Sequence, residues 1–285
     1  MNTVVESSGP YLYPCSIEYS LICAGIIFIM WRNVGKVGDR NQKDKQWAAK
    51  MKANRLGVDC SNSSRGLFLG IFLLVAVVIN IIAFFVMIRI KSRSGDAVMV
   101  EHLSEIICYV MTAVAVIIAF YKMQPLGFRS QREVDLEQTL LVIGLFGIFV
   151  FSLLSITAAS FSQSKIASLL IIISSVLRMF QASLQTLFIL NTLRRFAETK
   201  SHEQGKPGRE FVTFLLVANI ALWGINTFEV QQTEANPIQM KFYGLLPWTI
   251  FTHVSSPLAI FFRFHSTVCL ANIWKHAWKR RVGRI

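Results

Sequence analysis

From Phe68 to Ile88 the chain runs 21 residues with one polar side chain, Asn80. At about 1.5 Å of rise per residue, a helix of that length crosses a hydrocarbon layer roughly 30 Å thick. A large soluble protein can bury one such helix, but this chain of 285 residues repeats the pattern seven times. The runs cover 12–31, 66–88, 101–121, 138–158, 166–190, 211–230 and 245–274, here segments A to G. They are long and continuous, whereas a membrane β-barrel needs short alternating segments. A backbone in lipid must satisfy its own hydrogen bonds, so each run is expected to be helical. The fold class expected is an all-α polytopic membrane protein with seven transmembrane helices. The composition agrees, with 53% apolar and 16% charged residues.

A net charge of +13 raises the question of nucleic acid, and the placement of the charges answers it. If the N-terminus lies outside, the linkers after segments A, C and E and the C-terminal tail face the cytoplasm and carry 22 Lys and Arg. The opposite linkers carry 5, three of them in one loop, Arg89, Lys91 and Arg93. That bias is the positive-inside pattern, so the chain is expected in the cell membrane with its C-terminus cytoplasmic and no nucleic-acid partner. The tail "WKHAWKRRVGR" combines basic residues with two Trp, which suits an anionic leaflet. The opening residues "MNTVVESSGP" lack the basic start of a signal peptide, and none is expected. The sequon at Asn62 falls on the inferred cytoplasmic side and reads as a chance match. Five scattered cysteines (Cys15, Cys23, Cys60, Cys108, Cys269) form no CxxC or Cys/His cluster, so neither a metal nor a disulfide framework is expected.

Polar residues inside the runs are costly and mark function or helix packing. Segment A carries one carboxylate, Glu18, with Gly25 two turns on along the same face. Segment C opens with Glu101, His102 and Glu105, and the plain reading of the two acids is a solvated interface. Segment E stacks Arg178, Gln181 and Gln185 at spacings of three and four, on one face. Segment F places Asn219 and Asn226 seven apart, with Glu229 near the outer end. Segment G holds Arg263 and His265, and its Pro257 predicts a kink. Arg263 stays charged and needs a carboxylate, water or carbonyl partner; its plain reading is a structural ion pair. His265 titrates near neutral pH and can pass protons, or can sit neutral and satisfied. No phosphate loop, nucleophile elbow or HExxH motif occurs, so neither an enzyme nor a cofactor is expected.

The stretches "YLYPCSIEYSLICAG", "MWRNVGK", "SRGLFLGIFLL", "QTLFIL" and "FFRFHSTVCLANIW", in this order over about 275 residues, resemble the otopetrin family of proton channels. The resemblance implies twelve helices in two six-helix halves, cytoplasmic termini and a homodimer. It makes segment A the sixth helix and segments B–G the second half, and leaves the first five helices without a counterpart here. It also implies protons as the permeant ion, a lipid bilayer and a sterol-like lipid as partners, and a proton pathway that uses Glu18 and His265. The family's buried Gln and Asn map to Gln181 or Gln185 and to Asn219.

Three regions follow: 1–34, a short outer N-terminus and one helix; 35–65, a basic cytoplasmic linker; and 66–285, a six-helix domain. The expected function is a proton-selective channel or its C-terminal portion. Glu18, Glu105, Glu229 and His265 are its candidate titratable groups, and Arg178, Gln181, Gln185, Asn219, Asn226 and Arg263 its polar cluster. The alternatives are a seven-helix receptor and a non-conducting regulatory or assembly subunit. Against the receptor, segment C lacks an Asp/Glu-Arg-Tyr end and segment G an Asn-Pro-x-x-Tyr motif.

Overall fold

The structure, a computed structural model, describes residues 16, 19–31, 34, 61–88, 94–129, 136–162, 165–233 and 237–280. Each apolar run that falls fully within them is a helix. They are α1 (Tyr19–Trp31), α2 (Ser64–Ile88), α3 (Ser94–Met123), α4 (Leu136–Ser160), α5 (Lys165–Thr192), α7 (Arg209–Thr233) and α9 (Leu245–His276). The short helices α6 (Lys200–Gly205) and α8 (Pro237–Tyr243) lie in connections, as do two-residue strands β1 (Gly127–Phe128) and β2 (Arg195–Phe196). Six of the helices, α2 to α5, α7 and α9, are long and apolar enough to cross a membrane. The seventh expected span, 12–31, is described only from Tyr19 to Trp31 and at Ser16; Glu18 lies outside the described residues.

The six spans close into a ring. Round it run α2, α3, α5, α4, α9 and α7, each packed on the next, and α7 returns to α2. Two further contacts, α3 on α7 and α5 on α9, pinch the ring, so α5 and α7 each meet three neighbours. In its most apolar stretch α7 is 67% buried and α2 22%. Arg178, Gln181 and Gln185 of segment E and Asn219 and Asn226 of segment F therefore lie inside the bundle, while α2 turns Phe68, Phe72 and Ile79 outward.

Close approach needs small residues. A Cβ on Gly66 would strike the carbonyl of Glu210, which is where α2 meets α7. A Cβ on Gly147 would strike Leu258, just past Pro257, which is where α4 meets α9. Helix α9 runs unbroken through Pro257. Chain order puts the α3–α4 and α5–α7 connections at one end, together with the last turn of α9. There β1 pairs antiparallel with β2, Gly127 opposite Phe196. The Arg195 guanidinium donates to the carbonyls of Met123, Gln124 and Leu126 at 3.1, 2.7 and 3.1 Å, which caps the end of α3. Burial lowers its pKa from the ordinary guanidinium value. At the same end Arg209 lies 4.1 Å over the Trp274 ring, and Trp278 donates to the Pro207 carbonyl. Asn62, the sequon residue, donates its side-chain amide to Gly205.

Candidate functional site

On α3, His102, Glu105 and Tyr109 recur at spacings of three and four, so they share one face, which is buried against α5. Glu105 is 1% exposed. One of its oxygens accepts from Arg178 Nη2 at 2.6 Å and from the Tyr109 hydroxyl at 3.2 Å. The other is 3.1 Å from His102 Nδ1, which donates in the tautomer that suits this carboxylate. Ser174 Oγ stands 3.4 Å from the same nitrogen. Two titratable side chains, His102 and Tyr109, thus share one carboxylate, and Arg178 supplies the balancing charge. The solvated-interface reading of Glu105 does not hold. Its helix starts at Ser94, seven residues before the apolar run, so Glu105 sits three turns in rather than at the helix mouth.

A second polar line crosses the bundle. Arg263 on α9 is fully buried and donates through Nη1 to the Gln181 carbonyl on α5 at 2.6 Å. Its guanidinium lies 5.4 Å from the Tyr109 ring centre. Gln181 donates to the Gln185 carbonyl at 2.9 Å. Gln185 and Asn219 on α7 then exchange amide hydrogen bonds of 2.8 and 3.1 Å, and Asn219 also donates to the Leu215 carbonyl. The direction of donation is uniform from Arg263 to Gln185, so the cation polarises the amides in series. The ion pair expected for Arg263 is replaced by an amide carbonyl. Its Nε and Nη2 make no hydrogen bond. Tyr109 joins the two groups, since it donates to Glu105 and presents its ring to Arg263.

The remaining candidates lie apart. His265 is at the α4–α9 contact, where Nε2 donates to the Glu137 carbonyl at 2.8 Å and the ring stacks on Phe261. The Glu137 carboxylate accepts from Asn272, whose side-chain oxygen is 2.8 Å from His276 Nδ1. Asn226 is buried with neither side-chain atom hydrogen-bonded. Glu229 belongs to α7, and its side chain lies outside what is described. Glu101 and Ser104 border a cavity of about 20 Å³ with Asn80, room for one water. Sequence reasoning passed over Tyr109 and gave His102 no role. Their signal was the His-x-x-Glu-x-x-x-Tyr spacing, a single helical face. Among the described residues no group of His, Cys, Asp and Glu could hold a metal ion.

The otopetrin family model matches residues 1–264. Proton channel OtopLc of Drosophila melanogaster is 40% identical over 282 residues, which cover 98% of this chain and 18% of that protein. Proton channel OTOP3 of Homo sapiens is 24% identical over 92% of this chain and 50% of its own length. Proton channel OTOP1 of Danio rerio is 22% identical over 96% of this chain and 57% of its own. The chain therefore spans from under a fifth to somewhat over half of these relatives. With the family match running from the first residue well into α9, the chain belongs to the otopetrin family.

Proposed function

We propose that this chain forms the C-terminal six-helix portion, with one preceding helix, of a proton-selective channel. The observation that carries the reading is the buried His102–Glu105–Tyr109 cluster next to Arg178. A proton needs no wide pore: it moves along waters and side chains that gain and lose it. Glu105, His102 and Tyr109 supply such groups, with His102 and Tyr109 each within hydrogen-bond reach of Glu105. Amides do not titrate, so the role of Gln181, Gln185 and Asn219 is to fix α5 against α7 and to orient water.

In this reading Glu18, Glu229 and His265 act as further titratable stations, and Asn226 holds a water. The domains are 1–34, 35–65 and 66–285, as expected from the charge pattern. The C-terminus faces the cytoplasm in the cell membrane, the working unit is a homodimer, and a sterol-like lipid is a partner. The relatives are named as channels, which supports transport rather than catalysis.

The test is acid-evoked current. The chain is expressed, its surface protein is quantified, and current is recorded while the outside pH is lowered. The expected result is an inward current whose reversal potential follows the proton gradient. Surface protein without such current, both alone and joined to the N-terminal helices of a proton-channel relative, would overturn the reading and leave the non-conducting subunit.

A further inference from the structure

Arg263 is 0% exposed, yet its guanidinium is bonded on one side only: Nη1 donates to the neutral Gln181 carbonyl at 2.6 Å. Nε and Nη2 make no hydrogen bond. These two nitrogens share one edge of the guanidinium, from which an N–H of each points outward in parallel. That edge is the fork with which Arg holds an anion by two bonds at once. No group of the protein fills it.

The charge is as poorly met as the donors. The charged side chains that act on Arg263 are Arg178, of like sign, and Glu105. Glu105 bonds Arg178, Tyr109 and His102 instead. The Tyr109 oxygen also acts on Arg263, without a hydrogen bond to Nε or Nη2. The Tyr109 and Phe262 rings stand 5.4 and 5.3 Å from the guanidinium and offset part of the cost of burial. A buried cation without a counter-charge remains strongly unfavourable. Water can bond the fork but brings no charge; an anion does both.

Further unpaired polar groups gather at this level. Thr252, Ser255 and Thr267 of α9 turn their hydroxyls back onto carbonyls of their own helix. Ser256 does not, although it is 2% exposed, and its Oγ makes no hydrogen bond. It lies two turns before Arg263 on the same face, on the side toward which a helical Arg extends. The 3.1 Å bond from Trp274 to Thr213 sets the antiparallel register of α9 on α7. Counted equally from that pair, Arg263 falls opposite Gly224, within one turn of the unpaired amide of Asn226.

We propose that the Nε–Nη2 fork of Arg263 is a binding site for one small monovalent anion inside the bundle. The Ser256 hydroxyl donates to the same anion, and the water on Asn226 completes its shell. Halide and small carboxylate share the required chemistry. The site stands whether or not the chain conducts protons.

The purified chain, in phosphatidylcholine nanodiscs, is equilibrated in sodium gluconate, whose anion is too large to enter. Gluconate is then replaced stepwise by bromide or by formate at constant ionic strength, and the melting temperature is followed. A saturable rise is expected. Arg263→Gln abolishes it, and Ser256→Ala weakens the apparent affinity about fivefold, the effect of losing one neutral hydrogen bond. Lys165→Gln, at an exposed cation, changes nothing. Tighter formate assigns a planar oxyanion and tighter bromide a halide; both support the site. No saturable rise with either, or the same rise in Arg263→Gln, overturns the proposal and leaves water at the fork. Where Arg263→Gln fails to fold, anomalous scattering from bromide-grown crystals decides. A bromide within hydrogen-bond distance of Nε and Nη2 supports the site, and one found only elsewhere, or none, overturns it.

Discussion

Glu105 and Arg178 are each nearly inaccessible to water and joined at 2.6 Å, so neither can lose its partner without cost. Removing one member of a buried pair leaves the other uncompensated, typically about 3–5 kcal/mol. Glu105→Gln should therefore lower the melting temperature of the solubilised protein sharply. Glu105→Gln with Arg178→Met should recover a large part of the loss, because the stranded charge is gone. Melting temperatures across the four-member cycle check this, and additive losses would show that the pair is not coupled. The sequence made the cost of these residues visible but not their partners. Arg178, Gln181 and Gln185 could be placed on one face from their spacing. That Gln185 meets Asn219 while Asn226 meets nothing depends on the register between α5 and α7, which no local pattern encodes. Which of the partners expected for Arg263 it takes depends on the same register: α9 brings it level with Gln181, one turn beyond Arg178 and the carboxylate of Glu105, so a carbonyl rather than an acid receives it.

At the scale of the element, helix limits were legible because hydropathy and backbone satisfaction act together. The expected 138–158 became Leu136–Ser160, and 245–274 became Leu245–His276. The exception was α3, whose first seven residues open with Ser94, Gly95 and Asp96, polar enough to fall outside an apolar run yet helical all the same. An acid in a first turn suits the positive end of the helix dipole, which is why the helix extends outward there. Pairing between helices was not legible, although glycines mark where it happens. At Gly147 a new Cβ meets Leu258 Cβ and the Ala259 amide nitrogen, atoms that cannot swing away. At Gly224, in the middle of α7, a new Cβ meets nothing within 4 Å. Gly147→Ala should destabilise the bundle by about 1–3 kcal/mol, the usual cost of overpacking. Gly224→Ala should stabilise it by up to about 1 kcal/mol through helix propensity. Thermal melts of the two variants, run side by side, check the difference in sign. Equal shifts would mean that α4 and α9 do not pack at Gly147.

Across the whole molecule the ring has two chemically unequal ends. One gathers Lys122, Arg195, Lys206, Arg209, Lys275 and Arg280 with the paired β1 and β2. Among the described residues the other carries α8 with Lys241, and Lys165 at the start of α5; Arg89, Lys91 and Arg93, which follow α2, lie outside the described residues. A bundle inserts with its basic end retained in the cytoplasm, since moving Lys and Arg across the bilayer is the costlier choice. Cys60, a natural reporter of this, lies outside the described residues, so two engineered cysteines read the orientation better. Ser201 is exposed on α6 and Lys241 is exposed on α8, and α7 spans the distance between them. Cys15, Cys23 and Cys60 are first replaced by serine; the other two cysteines, Cys108 and Cys269, are buried. An impermeant maleimide added to intact cells should then label Lys241→Cys and spare Ser201→Cys until the membrane is permeabilised. Labelling of Ser201→Cys from outside would invert the bundle.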